Sequence, residues 1–410
     1  MPGGDHPGMP RGERGWTRVF ELFLQTGIRF AGLSGEALCA ALRRPVGKNL
    51  GRALLLALLL PPFAVLQLLN WLCLALDHLL FPGFRHVRVV DPVFIVGVPR
   101  SGTTLLHRVM AEDRACTTFT AWECLFAPSI VQRAAVRAAG RVDRRLGRPA
   151  GRLLGWLERC VAGRLATIHP SGLNAPEEDF LALLPVLGCF LLVVPFPESR
   201  WVWSLGRFDE ALPETVRVQF MSFYKGLVQR HLYVHGPRLR FLSKNPSFSP
   251  MVRSLRQTFP SCRIVACLRD PMQTVPSQLS ALKPAMAVFG HDPGAAPVRD
   301  RLVSQMAYYY DYLLTELPGG PVCRHAFVML PDLKKATRGT VQALYRRLGL
   351  PFPVKFAACL DRLEDAARRH QSGHRYSAEG FGLSEGDIRG RFASAYRFLR
   401  ASPGMTSGVR

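Results

Sequence analysis

The octapeptide Gly97-Val-Pro-Arg-Ser-Gly-Thr-Thr104 begins at the end of the apolar run 93–98. Its glycines have the G-x-x-x-x-G spacing of a loop that wraps an anion with backbone N–H groups just ahead of a helix N-terminus. Glycine permits both the tight turn and the close backbone approach. In a kinase or ATPase loop a lysine follows, reaching the β- and γ-phosphates. Here Thr103 stands at that position, and Arg100 supplies the cation from inside the loop. Arg100, Ser101, Gly102, Thr103 and Thr104 are therefore expected to line a bound phosphate- or sulfate-like group. A carboxylate cluster, Glu177 and Glu178 in HPSGLNAPEEDFLAL, precedes an apolar stretch and could cap a helix or meet a substrate.

The elements around these residues alternate. Strands are expected at 93–98, 239–246, 263–270 and 325–330, and helices at 103–111, 249–258, 272–282 and 337–348. That alternation predicts an α/β fold, a P-loop-like parallel sheet flanked by helices. Residues 130–165 form an arginine-rich helical region that reads either as a solvated face or as a grip for polyanions or lipid headgroups.

Residues 1–15, rich in Gly, Pro and charge, read as a disordered tail, and 16–43 as an amphipathic helix. Leu54 to Leu76 is a 23-residue apolar stretch with no charged side chain, long enough to cross a bilayer. Pro61 and Pro62 should kink or break a helix there. The expected role is a membrane-associated segment; the alternative is a buried helical hairpin. Arg43, Arg44, Lys48 and Arg52 precede it, which for a true span would leave the N-terminus cytosolic. About fifteen residues separate the stretch from the first strand, a stem that suits a membrane-hugging arrangement better. The chain thus divides into 1–50, an apolar segment at 51–86, and a catalytic domain at 87–400.

The net charge of +23 favours anionic partners, although only seven of 53 basic residues are lysine and a GC-rich genome could produce that bias. Ten cysteines show no C-x-x-C pair and no zinc spacing, so no metal is expected. No nucleic-acid partner is expected either.

GVPRSGTTLLHRVM resembles the 5′-phosphosulfate loop of sulfotransferases that use 3′-phosphoadenosine 5′-phosphosulfate (PAPS), in the branch that includes tyrosylprotein sulfotransferases and many bacterial enzymes. FLSKNPSFSPMVRSLRQTFPSCRIVACLRDPMQTVPSQ, residues 241–278, is similar to that family's strand, lysine turn, helix, second strand and R-D-P-x(5)-S block. The resemblance implies that Arg269 and Ser277 hold the 3′-phosphate, which suits a guanidinium fork at a strand end and a hydroxyl in the next helix. GHRYSAEGFGL, 373–383, resembles the C-terminal signature that closes over the nucleotide. Together the blocks span 91–398, and the first 90 residues carry no such motif.

The resemblance implies an enzyme that moves a sulfuryl group from PAPS, as co-substrate and without a metal, to a hydroxyl or amine of a carbohydrate, glycolipid or lipid. Such transfer needs in-line placement, charge neutralisation on the leaving phosphate oxygen and removal of the acceptor's proton. Lys244 matches the family's charge-stabilising lysine. Glu123, in FTAWECLF, ranks first as base, Glu178 second and His169 third. The family's histidine four residues after the lysine is Phe248 here, and the basic residue four after the 3′-phosphate serine is Ala281. Both departures argue against a tyrosylprotein acceptor. The competing readings are a P-loop kinase or NTPase and a non-catalytic membrane scaffold.

Overall fold

Five parallel strands, in the order β2-β3-β1-β4-β5, form the central sheet. They are β1 (Val93–Gly97), β2 (Cys116–Thr117), β3 (Arg240–Lys244), β4 (Arg263–Leu268) and β5 (His325–Met329). The computed structural model describes residues 11–42, 46–149, 151–153, 155, 175–368 and 378–401. β1 pairs with β3 through Val93↔Leu242 and with β4 through Val93↔Arg263 to Gly97↔Cys267. A central parallel strand is covered on both faces, which is why VFIVG is apolar throughout and wholly buried. Successive side chains feed opposite cores. Phe94 and Val96 join Phe241, Ile264 and Ala266 on one face; Val93 and Ile95 join Leu242, Val265 and Cys267 on the other.

The parallel sheet expected from the sequence is present, with one strand more. β2 is two residues long, too short for any period to announce it. The chain leaving β1 turns toward β2 and that leaving β4 toward β5, which makes the C-terminal ends of β1 and β4 the topological switch point at which open α/β sheets bind ligands.

The helices used below are α1 (Arg11–Leu42), α2 (Val46–Leu80), α3 (Thr103–Met110), α4 (Ala121–Phe126), α5 (Ile130–Arg145), α6 (Glu214–His235), α7 (Pro271–Val288) and α8 (Ala296–Glu316). α7 starts one residue before the expected 272–282 and runs on to Val288, with Pro276 and Pro284 inside it. α1 begins at Arg11, so residues 11–15 are helical rather than part of a disordered tail. α2 continues through Pro61 and Pro62 instead of breaking. Both prolines lie on the exposed side, among strong helix formers.

α1 and α2 pack on each other, with Phe30 stacked on Phe63 at 6.0 Å, and on the body. Leu22, Trp71 and Leu74 share one core with Phe94 and Tyr224. The inward face of α2 mixes apolar side chains with polar ones that bond to the body. Arg52 forks onto Glu198 at 2.8 and 2.9 Å. Asn70 Oδ1 accepts from Gln132 Nε2 at 2.7 Å, and Trp71 Nε1 donates to the Pro185 carbonyl at 2.8 Å. Asp77 accepts the first two N–H groups of α5, from Ile130 and Val131, each at 2.9 Å, and pairs with Arg230 at 2.7 Å. The outward face is apolar, with Leu58 and Val65 about two-thirds exposed (70% and 65%). Among the described residues, Gly51–Leu80 is the one stretch long and apolar enough to cross a membrane.

Candidate active site

The loop after β1 owes its shape to two glycines. Gly97 has φ +141°, and a Cβ there would stand 2.3 Å from the Cys267 carbonyl oxygen of β4. Gly102, at φ +94°, opens α3, and a Cβ would press Leu330 at 2.5 Å. Ser249 brackets the first of them, accepting from Gly97 N–H and donating to its C=O, both at 2.9 Å. Nothing in the sequence singled out Ser249. Gly97→Ala is expected to cost about 3 kcal/mol of stability, because the clash is with backbone that cannot move aside. A melting midpoint equal to wild type would contradict this.

The residues expected to bind one donor meet at this loop. Arg100 Nε donates to Ser277 Oγ of α7 at 3.1 Å. Arg269, at the end of β4, donates from Nη1 to the Arg100 carbonyl at 3.2 Å and from Nε to Gln273 Oε1 at 2.9 Å. Asp270 caps α7 by accepting from Met272 N–H at 2.9 Å, with Tyr396 Oη on the same carboxylate at 2.9 Å. Ser101 and Thr103 are buried and Thr104 is exposed. Ser101 Oγ is buried with no hydrogen-bond partner among the described residues. Of the C-terminal signature, 373–377 lie outside the described residues. Ala378 and Leu383 pack in one core with Val98 and Leu268, beside the ends of β1 and β4.

On the other side of the loop, at the end of β3, Lys244 is 2% exposed. Its Nζ lies 2.7 Å from Glu178 Oε1 and 3.4 Å from Thr104 Oγ1 of α3. The segment bearing Glu178 is held in place by an isolated antiparallel bridge between Thr120 and Pro176 and by Glu177 N–H on the Phe119 carbonyl at 3.1 Å. Asp179 is buried next door and accepts from Tyr224 Oη. Burial pushes its pKa up to about 7, against the hydrogen bond from Tyr224. Asp179 was not singled out from the sequence, although it stands in the quoted EED cluster.

Glu123 occupies a different cluster. It is N3 of a capping box that opens α4, accepting from Thr120 N–H and Oγ1, each at 3.1 Å. His235 Nε2 lies 2.7 Å from its other oxygen, Arg133 Nε 3.7 Å away and His231 Nδ1 3.6 Å away. Burial opposes its ionisation, but the His235 hydrogen bond and the Arg133 charge prevail and hold the carboxyl well below the usual range. Glu123, His231 and His235 lie close enough to hold a metal ion. The Arg133 guanidinium, also 3.4 Å from His231 Nδ1, already supplies a cation there. His169 lies outside the described residues.

A glycine loop before a helix at the switch point of a parallel sheet, a guanidinium on that loop from the next strand and a buried lysine at the third strand's end define a P-loop-like transferase site. The chain belongs to the sulfotransferase family, whose sequence model matches residues 92–354. It is 26% identical over 293 residues, 68% of each chain, to omega-hydroxy-beta-dihydromenaquinone-9 sulfotransferase Stf3 of Mycobacterium bovis and of Mycobacterium tuberculosis. Among solved structures, sulfotransferase STF9 from Mycobacterium avium aligns with a TM-score of 0.68 at 17% identity, covering 97% of this chain and 98% of its own. STF1 from Mycobacterium tuberculosis H37Rv aligns at 0.64 and 18% identity, covering 92% and 98%. These two likenesses are of fold, and their coverage is too broad to leave out the first 90 residues.

Proposed function

We propose that the donor is PAPS, held by the 97–104 loop at its phosphosulfate end and by Arg269 and Ser277 at its 3′-phosphate, and that the acceptor is a hydroxyl on a lipid-like molecule. The carrying observation is that the two cradles are hydrogen-bonded to each other, through Arg100 to Ser277 and Arg269 to the Arg100 carbonyl. The buried, unpartnered Ser101 Oγ and the free N–H groups opening α3 suit an anion in the loop. The donor, once bound, brings an activated sulfuryl group.

Lys244 neutralises charge growing on the leaving phosphate oxygen, from a position against α3. Glu178, already accepting a proton donor at 2.7 Å and about a fifth exposed, takes the acceptor's proton. Burial, which pushes the Asp179 pKa up to about 7, disfavours a second full negative charge beside Glu178. Glu123 acts from a distance: it fixes Thr120, whose bridge to Pro176 sets the segment bearing Glu178. The lipid-like acceptor rests on the omega-hydroxylated menaquinone named for Stf3 and on the apolar face of α2.

The test is differential binding followed by transfer. 3′-Phosphoadenosine 5′-phosphate should raise the melting midpoint, AMP much less, and Arg269→Ala should abolish the difference. Equal shifts with AMP, or an equal magnesium-dependent shift with ATP, overturn the donor assignment. Labelled sulfate from PAPS should appear in the lipid fraction of a cell extract rather than in its glycans.

A further inference from the structure

We infer that α2 lies in the plane of an anionic bilayer, its outer face in one leaflet and α5 among the headgroups, and does not span the membrane. The pattern of α2 is inverted for a water-facing helix. Its bonded polar residues point into the body. Leu54, Leu58, Val65, Leu68, Leu72 and Leu79, spaced three, four or seven apart, form an exposed stripe along one side. Phe20, Leu24 and Ile28 extend the apolar surface onto α1. Nine large apolar side chains, each about half or more exposed, share this surface, and an extended exposed apolar patch marks an interaction or membrane site.

Spanning is ruled out by where the body touches. Arg52 is bonded to Glu198 near one end of α2 and Asp77 to Arg230 near the other. Those anchors lie about 38 Å apart along the axis, further than the ~30 Å hydrocarbon thickness. A spanning α2 would carry these ion pairs and the polar body beside them through lipid, or break them.

The flank identifies the partner. α5 starts on α2, with Ile130 and Val131 on Asp77 and Gln132 on Asn70. It then exposes Arg137, Arg141, Arg144 and Arg145, and Arg85 and Arg88 stand exposed beyond the C-terminus of α2. α1 carries two exposed acids, Glu21 and Glu36. A basic edge beside an apolar face matches anionic headgroups over acyl chains. A second copy on the same face would set arginines against arginines. The Lys244 end of the site is tied to this face, since seven residues after Glu178 the Pro185 carbonyl accepts from Trp71 of α2. The inference stands whichever acceptor is used.

The test floats the purified full-length chain with phosphatidylcholine vesicles, alone or with about 30% phosphatidylglycerol. Wild type should rise with the anionic vesicles. Leu58→Asp/Val65→Asp/Leu72→Asp, all at exposed positions, should lose flotation with an unchanged melting midpoint. Changing Arg137, Arg141, Arg144 and Arg145 to Gln should lower affinity for the anionic vesicles at least tenfold and barely alter the weaker binding to phosphatidylcholine. A spin-labelled side chain placed at 54, 65 or 79 should report one shallow depth. Wild-type flotation by the aspartate variant, dimers without vesicle binding, or a depth passing from one surface through the centre to the other would each overturn the inference.

Discussion

Lys244→Met is expected to cut kcat about 10²–10³-fold, the usual loss when one preorganised charge donor is removed from a transferring group. The melting shift produced by 3′-phosphoadenosine 5′-phosphate should survive, because the nucleotide contacts proposed here lie in the 97–104 loop and at Arg269 and Ser277, across the loop from Lys244. Methionine fills the buried channel that the lysine stem now occupies, which keeps the packing effect small. The pattern to look for is a fall in kcat with little change in nucleotide affinity. Loss of nucleotide binding together with rate would assign Lys244 to the donor cradle. An unchanged rate would remove it from the chemistry.

Glu178→Gln and Glu123→Gln should fail in opposite ways. Glu178 is the counter-charge of Lys244, and its amide should lower kcat about 10²–10⁴-fold, with a smaller loss of stability than at Glu123 because the carboxylate is a fifth exposed to water. Glu123 has every oxygen engaged by Thr120, His235 and Arg133 in a buried cluster. Removing its charge leaves Arg133 uncompensated and should cost about 3–5 kcal/mol of stability. That gap depends on pH in a definite sense. The folded carboxyl is held below its usual range, so its contribution is complete above the ordinary glutamate pKa and is lost as the pH falls toward the folded value. Wild type and Glu123→Gln should therefore converge in melting midpoint as the solution is acidified. If Glu123→Gln instead keeps its stability and loses its rate, Glu123 is the base and Glu178 a partner that positions Lys244.

Glu123 and Glu178, the two candidate bases, show what a sequence can and cannot disclose. Thr120-x-x-Glu123 is a legible capping box, which places Glu123 at a helix start. Glu178 owes its position to Lys244, 66 residues further along the chain, and no local pattern reports that encounter. The loop and the Arg269 block were readable because their residues are fixed by backbone geometry: glycine where φ is positive, an arginine where a strand ends beside the loop. β2 was not, since two residues hold no period. The four expected strands and the four helices expected to follow them fell where alternation placed them, whereas Glu214–His235 and Ala296–Glu316 were not anticipated and the N-terminal helices were misjudged at their edges and at the prolines. Their attachment to the body did leave a trace. Gln67, Asn70 and Asp77 recur every three or seven residues through the apolar run, on one side of a helix. That periodic polarity marks a face that must find partners, and here the partners belong to the body.

Trp71 and Leu74 share their core with the central strand, and Asp77 opens the helix that carries Arg133. Cutting the chain before residue 81 to obtain a water-soluble enzyme would thus tear out one wall of the interior and strand Arg230 without its counter-charge. The shortened protein should be recovered as an aggregate. Solubility has to be sought by recolouring the outward leucines one at a time, with the helix left where it is.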